Sequence, residues 1–111
     1  MKTIEKNTIY QLANSETLVA VINSNDDSEM AIAIPVVEPI NGKRIVGEFD
    51  VNISRVRHRF LVWNIIHVKY SDIGKPIAKM SSYAVVAMKN SVRHILGLDE
   101  AENSIPVADL C

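Results

Sequence analysis

Residues Arg55 to Trp63 alternate between two faces more cleanly than any other stretch of the chain. Val56, His58, Phe60 and Val62 fall on one side, and Arg55, Arg57, Arg59, Leu61 and Trp63 on the other. Side chains that repeat every second residue over this length predict a β-strand. A chain with such a strand and only one helical stripe must build its core from a sheet. Aromatic residues are scarce (5%), so that core has to come from Ile, Val, Leu, Met and Ala. At 111 residues the chain holds one domain.

The N-terminal half reads as further strands. Thr8–Leu12 is a short β-prone run, and Asn14-Ser15-Glu16 follows as a turn of residues that hydrogen-bond their own backbone. Thr17–Ile22 is a second strand and Met30–Val37 a third. In the third, Met30, Ile32, Ile34 and Val36 share one face, and Pro35, which lacks an N–H, predicts an edge or a bulge. Asn41-Gly42 signals a hairpin-type turn before residues 43–47. Asn64–Tyr70 continues β-like, and residues 71–76 turn the chain. Ser81 or Ser82 offers an N-cap for a helix of roughly 15 residues. Its apolar stripe is Val85, Met88, Val92, Ile95 and Leu96, and Gly97 stands where a helix stop belongs. The expected class is mainly β: a small bent antiparallel sheet or barrel packed on one C-terminal helix.

The charge is near balance, with 12 Lys and Arg against 13 Asp and Glu, but it is segregated. Residues 7–42 carry no Lys or Arg, whereas Lys43, Arg44, Arg55, Arg57, Arg59 and Lys69 crowd the next stretch. Three arginines on one strand face suit phosphate or carboxylate. The competing reading is a solvated face, or an edge protected by charge. The one cysteine, Cys111, allows no intrachain disulfide and no cysteine-based metal centre. His58, His67 and His94 make a poor metal set, so no metal and no cofactor are expected. They read as structural or surface histidines, with a general-base role for His58 or His67 as the alternative. Phosphate-cradling glycine loops and the common hydrolase motifs are absent. No targeting signal is seen, and no apolar run approaches the roughly 20 residues that span a membrane. A cytoplasmic chain without membrane contact is expected.

Taken in order, the elements resemble the CcdB/MazF superfamily of plasmid-maintenance toxins. The resemblance rests on Asn7-Thr8-Ile9-Tyr10, on Val19 to Asp26, and on Ile32-Ala33-Ile34-Pro35-Val36. It continues through Asn64 to Gly74, Ile77-Ala78-Lys79-Met80-Ser81, Met88-Lys89-Asn90-Ser91-Val92 and Gly97-Leu98. The pattern looks closer to CcdB-like gyrase poisons. It implies a small SH3-like barrel over residues 1–98, acting as a homodimer. Residues 99–111 then form an acidic tail, whose Ile105, Pro106, Val107 and Leu110 suit docking. The resemblance implies a toxin of a type II toxin–antitoxin pair that binds DNA gyrase without catalytic residues of its own. Ile95, Gly97 and Leu98 would meet that target, and Arg55, Arg57 and Arg59 would meet a flexible acidic antitoxin. The chain departs from CcdB in having Leu96, not Trp, before Gly97-Leu98. The alternatives are a MazF-like endoribonuclease, or a non-toxic nucleic-acid- or protein-binding module of this fold. MazF-type catalysis relies on an Arg-containing loop after the first strand and a Thr after the third. This chain has Asn14-Ser15-Glu16 and Val37-Glu38 there.

Overall fold

A computed structural model of the chain describes residues 3–40 and 42–97. Seven strands form one antiparallel sheet: β1 (Thr8–Leu12), β2 (Leu18–Asn25), β3 (Met30–Val37), β4 (Glu48–Ile53), β5 (Val56–Leu61), β6 (Ile66–Lys69) and β7 (Ile73–Lys79). One helix, α1 (Ser82–Ile95), follows. The order across the sheet is β4-β5-β3-β2-β1-β7, with β6 also paired to β3. Among the described residues β4 and β7 do not pair, so the bent sheet stays open rather than closing into a barrel.

The sheet is apolar on both faces because β2 and β3 lie at its centre. Ala20, Ile34, Val36, Phe49, Phe60 and Val62 pack with Ala84 and Met88 of the helix. Val19, Val21, Ala31, Ala33, Val68 and Ile73 form a second core on the other side. Small residues at 31 and 33 let this second layer sit close. It is finished by Tyr70, whose hydroxyl donates to Asp26 Oδ1 at 2.6 Å.

Pro35 lies in the middle of the sheet and not at an edge. It is tolerated because β3 changes partners there. Met30–Ala33 pair with β6, and Val36 and Val37 pair with Phe60 and Arg59 of β5. Ile34 and Pro35 fall between these two partners, while on the other side of β3 they stand opposite Ala20 and Val19 of β2.

Several other expectations shift. Residues 43–47 form no strand, and β4 begins after them at Glu48. The turn expected at Asn41-Gly42 falls partly on Asn41, which lies outside the described residues. The tight hairpin is instead between β4 and β5, through Ser54 and Arg55. Both have positive φ (52° and 69°), as a two-residue type I′ turn requires. Residues 73–76, expected as a turn, belong to the edge strand β7, whose pairing with β1 is shifted twice.

The helix matches its reading closely. Ser81 caps it, its Oγ accepting from Ala84 N at 3.2 Å. Gly97 has φ 71°, the left-handed conformation a helix stop favours. The stripe is narrower than expected, with Met88 buried, Val85, Val92 and Ile95 half-buried, and Leu96 58% exposed. Leu96 is the residue that closes the helix, after its last turn. Ile95 presses on the loop before β4. A Cβ added at Gly47 would stand 2.6 Å from its Cδ1, and the φ there is +86°. Leu98 and the tail 99–111 lie outside the described residues.

Candidate functional site

The three arginines do not share an open strand face. Arg55 sits in the hairpin turn and is exposed. Arg57 is half-exposed, with its Nε 3.7 Å from Asp50 Oδ2. Arg59 is only 6% exposed. The β4–β5 register sets Asp50 opposite Arg59, and the pair is bidentate: Nε donates to Oδ1 at 2.8 Å and Nη2 to Oδ2 at 3.1 Å. Glu48 adds a second carboxylate, 3.9 Å from Nε. The guanidinium also donates to the Lys43 carbonyl, and to the Gly42 carbonyl at 3.4 Å. Arg59 thereby pins the loop before β4 to the sheet. The hydrogen bond from Arg59 holds the Asp50 carboxyl below its ordinary range, and the same bond raises the guanidinium. A cation engaged in this way is part of the framework.

One residue earlier, His58 is in a different position. It is 8% exposed, and its ring edge opens on a groove of about 550 Å3. The groove is lined by the loop after β1 (Ser15, Glu16, Thr17), the end of β3 (Val36, Val37, Glu38) and His58. His58 Nδ1 lies 2.8 Å from the Val56 carbonyl oxygen. A carbonyl only accepts, so Nδ1 donates to it and Nε2 is left facing the groove. Glu38 Oε1 is 4.0 Å from Nε2. A proton-carrying ring, a carboxylate and two hydroxyls thus meet at one mouth.

Sequence reading named His58 but not its partner. The signal is register: with Val37 opposite Arg59, the next residue, Glu38, comes level with His58. His67 is exposed on β6 and His94 exposed on α1. Among the described residues no group of three or more His, Cys, Asp or Glu could hold a metal ion. No helix among them is long and apolar enough to cross a membrane. At the end of α1, Ile95 is half-buried and Gly97 is exposed with open space around it.

No protein-family model matches the chain, and no curated sequence matches it significantly. Solved structures do. An endoribonuclease from Mycobacterial species superposes with a TM-score of 0.74 at 12% identity, over 89% of this chain and 96% of that one. An endoribonuclease in complex with its cognate antitoxin, also from Mycobacterial species, gives 0.72 at 11% identity, over 86% and 97%. The Mycobacterium tuberculosis toxin MazF-mt6 gives 0.65 at 16% identity, over 86% and 99%. The fold is therefore MazF-like, within the broader CcdB/MazF architecture. The closer likeness to gyrase poisons read from the sequence finds no support among these neighbours. That likeness rests on the order of the elements and on short runs such as Ile32–Val36, Asn64–Gly74 and Ile77–Ser81.

Proposed function

We propose that the chain is the toxin of a toxin–antitoxin pair and that it cleaves single-stranded RNA. The supporting observation is the groove. The loop after the first strand and the residues ending the third are where MazF-type catalysis resides, and here they converge on His58. In this reading the Glu38 carboxylate takes the proton of a ribose 2′-hydroxyl, whose oxygen attacks the adjacent phosphorus. The P–O bond to the next nucleotide's 5′ oxygen breaks. Protonated His58 gives its Nε2 proton to that leaving oxygen, so the products are a 2′,3′-cyclic phosphate and a 5′-hydroxyl. Imidazolium also supplies the positive charge that an arginine supplies in the family, stabilising the developing phosphorane. Val56 holds the ring in place through Nδ1.

The test is incubation of the purified chain with a 5′-labelled single-stranded RNA of mixed sequence. The expected product carries a cyclic phosphate, and His58→Ala removes it. Absence of cleavage across sequences, with intact binding of gyrase in a pull-down, would return the weight to Ile95, Gly97 and Leu98 as a non-enzymatic target face. A flexible acidic antitoxin is the partner in either case. Arg55 and Arg57 are then its accessible contacts, since Arg59 is enclosed. We further propose a homodimer, because the half-exposed Ile32 and Val37 of β3, with Ile65 in the loop before β6, leave apolar surface that one helix does not cover.

A further inference from the structure

Two hollows lie along one flank of α1. Ser82, Val85 and Val86 line one of about 340 Å3, and Met88, Lys89, Val92 and Arg93 line a second of about 250 Å3. These helix positions recur at spacings of three and four, so they share one side of α1. Lys6 and Asn7, in the turn before β1, line both hollows and join them into one groove. From Ser82 to Arg93 the helix rises about 17 Å, the length of about five extended residues.

The groove is basic at its rim and aliphatic at its floor. Lys6, Lys89 and Arg93 are exposed and have no ion-pair partner among the described residues. Lys79 stands at the rim, 3.9 Å from Glu5, the one acid that lines either hollow. The helix itself contains no Asp or Glu. Lys89 and Arg93, one turn apart, repel each other, and an anion set between them relieves that repulsion. The side-chain amide of Asn7 also has no partner among the described residues. Between these polar groups lie Ile22, Met88 and Val92, with Val86 56% exposed at the other end.

We infer that this groove seats an acidic peptide segment of a partner protein, its Asp or Glu side chains on Lys6, Lys89 and Arg93 and its aliphatic side chains on the floor. Charge complementarity selects an acidic occupant. The floor selects a peptide over a nucleic acid, because no aromatic side chain lines either hollow to stack a base, while aliphatic contacts suit Val or Leu. This deepens the reading of an acidic partner given above, on which it rests, by adding a concave seat that neither Arg55 nor Arg57 lines. It does not depend on RNA cleavage.

The experiment measures fluorescence anisotropy of a labelled peptide alternating Glu with Val, titrated with the full chain. Polyglutamate and single-stranded DNA of equal charge are the comparison probes. The Glu-Val peptide is expected to bind tightest, and more weakly as salt rises. Lys89→Glu with Arg93→Glu should weaken it about ten-fold. Val86→Ser should weaken it about three-fold and leave polyglutamate unchanged, because only the floor is altered. All three side chains are exposed, so melting curves should stay close to the parent's. Arg55→Glu with Arg57→Glu should leave peptide binding unaltered. Undiminished binding by the Lys89 and Arg93 variant overturns the inference, as does DNA binding more tightly than the peptide. RNA cleavage is assayed on the same preparations. Cleavage without peptide binding overturns this inference alone, whereas peptide binding to the α1 groove without cleavage supports it and counts only against the ribonuclease reading.

Discussion

The two sides of β5 treat adjacent ionisable side chains in opposite ways. On one side Arg59 is closed in by Asp50, Glu48 and two backbone carbonyls, and every donor it turns inward meets an acceptor. On the other, His58 has one nitrogen bound to Val56 and the other directed at an open groove beside Glu38. Both residues are more than nine-tenths buried. Burial alone therefore does not separate framework from chemistry. The difference is whether a polar atom remains uncommitted in a place a ligand can reach.

That contrast is sharpest for His58. Under the proposed function, replacing it with Ala should lower RNA cleavage by about 10²–10⁴-fold, the usual contribution of one acid–base group. The melting temperature should fall by only several degrees, because one side-chain hydrogen bond is worth about 1 kcal/mol. A variant that loses fold and activity together would place His58 in the framework with Arg59. Arg59→Ala should do the reverse in kind, lowering stability because Asp50 loses its bidentate partner and the loop before β4 loses its tie to the sheet. Urea denaturation measures this, and an unchanged midpoint would mean the cluster is solvated.

The Arg59 side also carries its own acid sensitivity. The folded Asp50 pKa is depressed, so the unfolded chain takes up its proton first as pH falls. Its stabilisation is complete above the unfolded carboxylate value of about 4 and is lost as pH drops through the lower folded value. Asp50→Asn should flatten the stability curve below that point, measured by melting against pH. The mildest change concerns the turn joining the two strands. Ser54→Asn with Arg55→Gly places residues suited to positive φ there and should stabilise by about 1 kcal/mol. It should leave cleavage unaltered, since Arg55 touches neither side of the comparison. Slower cleavage in this variant would show that the hairpin's strain serves the groove.

The period-two run from Val56 to Val62 and the capped stripe from Ser81 to Gly97 were legible because each follows from local periodicity. So was the apolar third strand. What local pattern does not carry is pairing. Arg59 reads as one of three like residues until the turn at Ser54 and Arg55 is located and sets Asp50 opposite it. Glu38 reads as a surface acid until β3 and β5 are laid side by side. β7 was hidden by Gly74 and Pro76, which signal turns but are tolerated on an edge strand. The groove is thus a product of topology acting on residues whose own neighbours say little.

The change of partner at Pro35 bears on how the molecule breathes. Among the described residues the β4–β5 hairpin is bonded to the rest of the sheet through backbone pairs at Val36 and Val37 alone, and its other attachment is the packing of Phe49 and Phe60 (4.7 Å between ring centres) in the core. A unit that is coherent within itself but narrowly attached opens as a unit. Amide hydrogens of β4 and β5 should then exchange with solvent deuterium as one group, ahead of those shared by β2 and β3. Each such opening would carry His58 away from Glu16 and Thr17, so the rate at which the groove admits a strand would be set by a joint one proline wide.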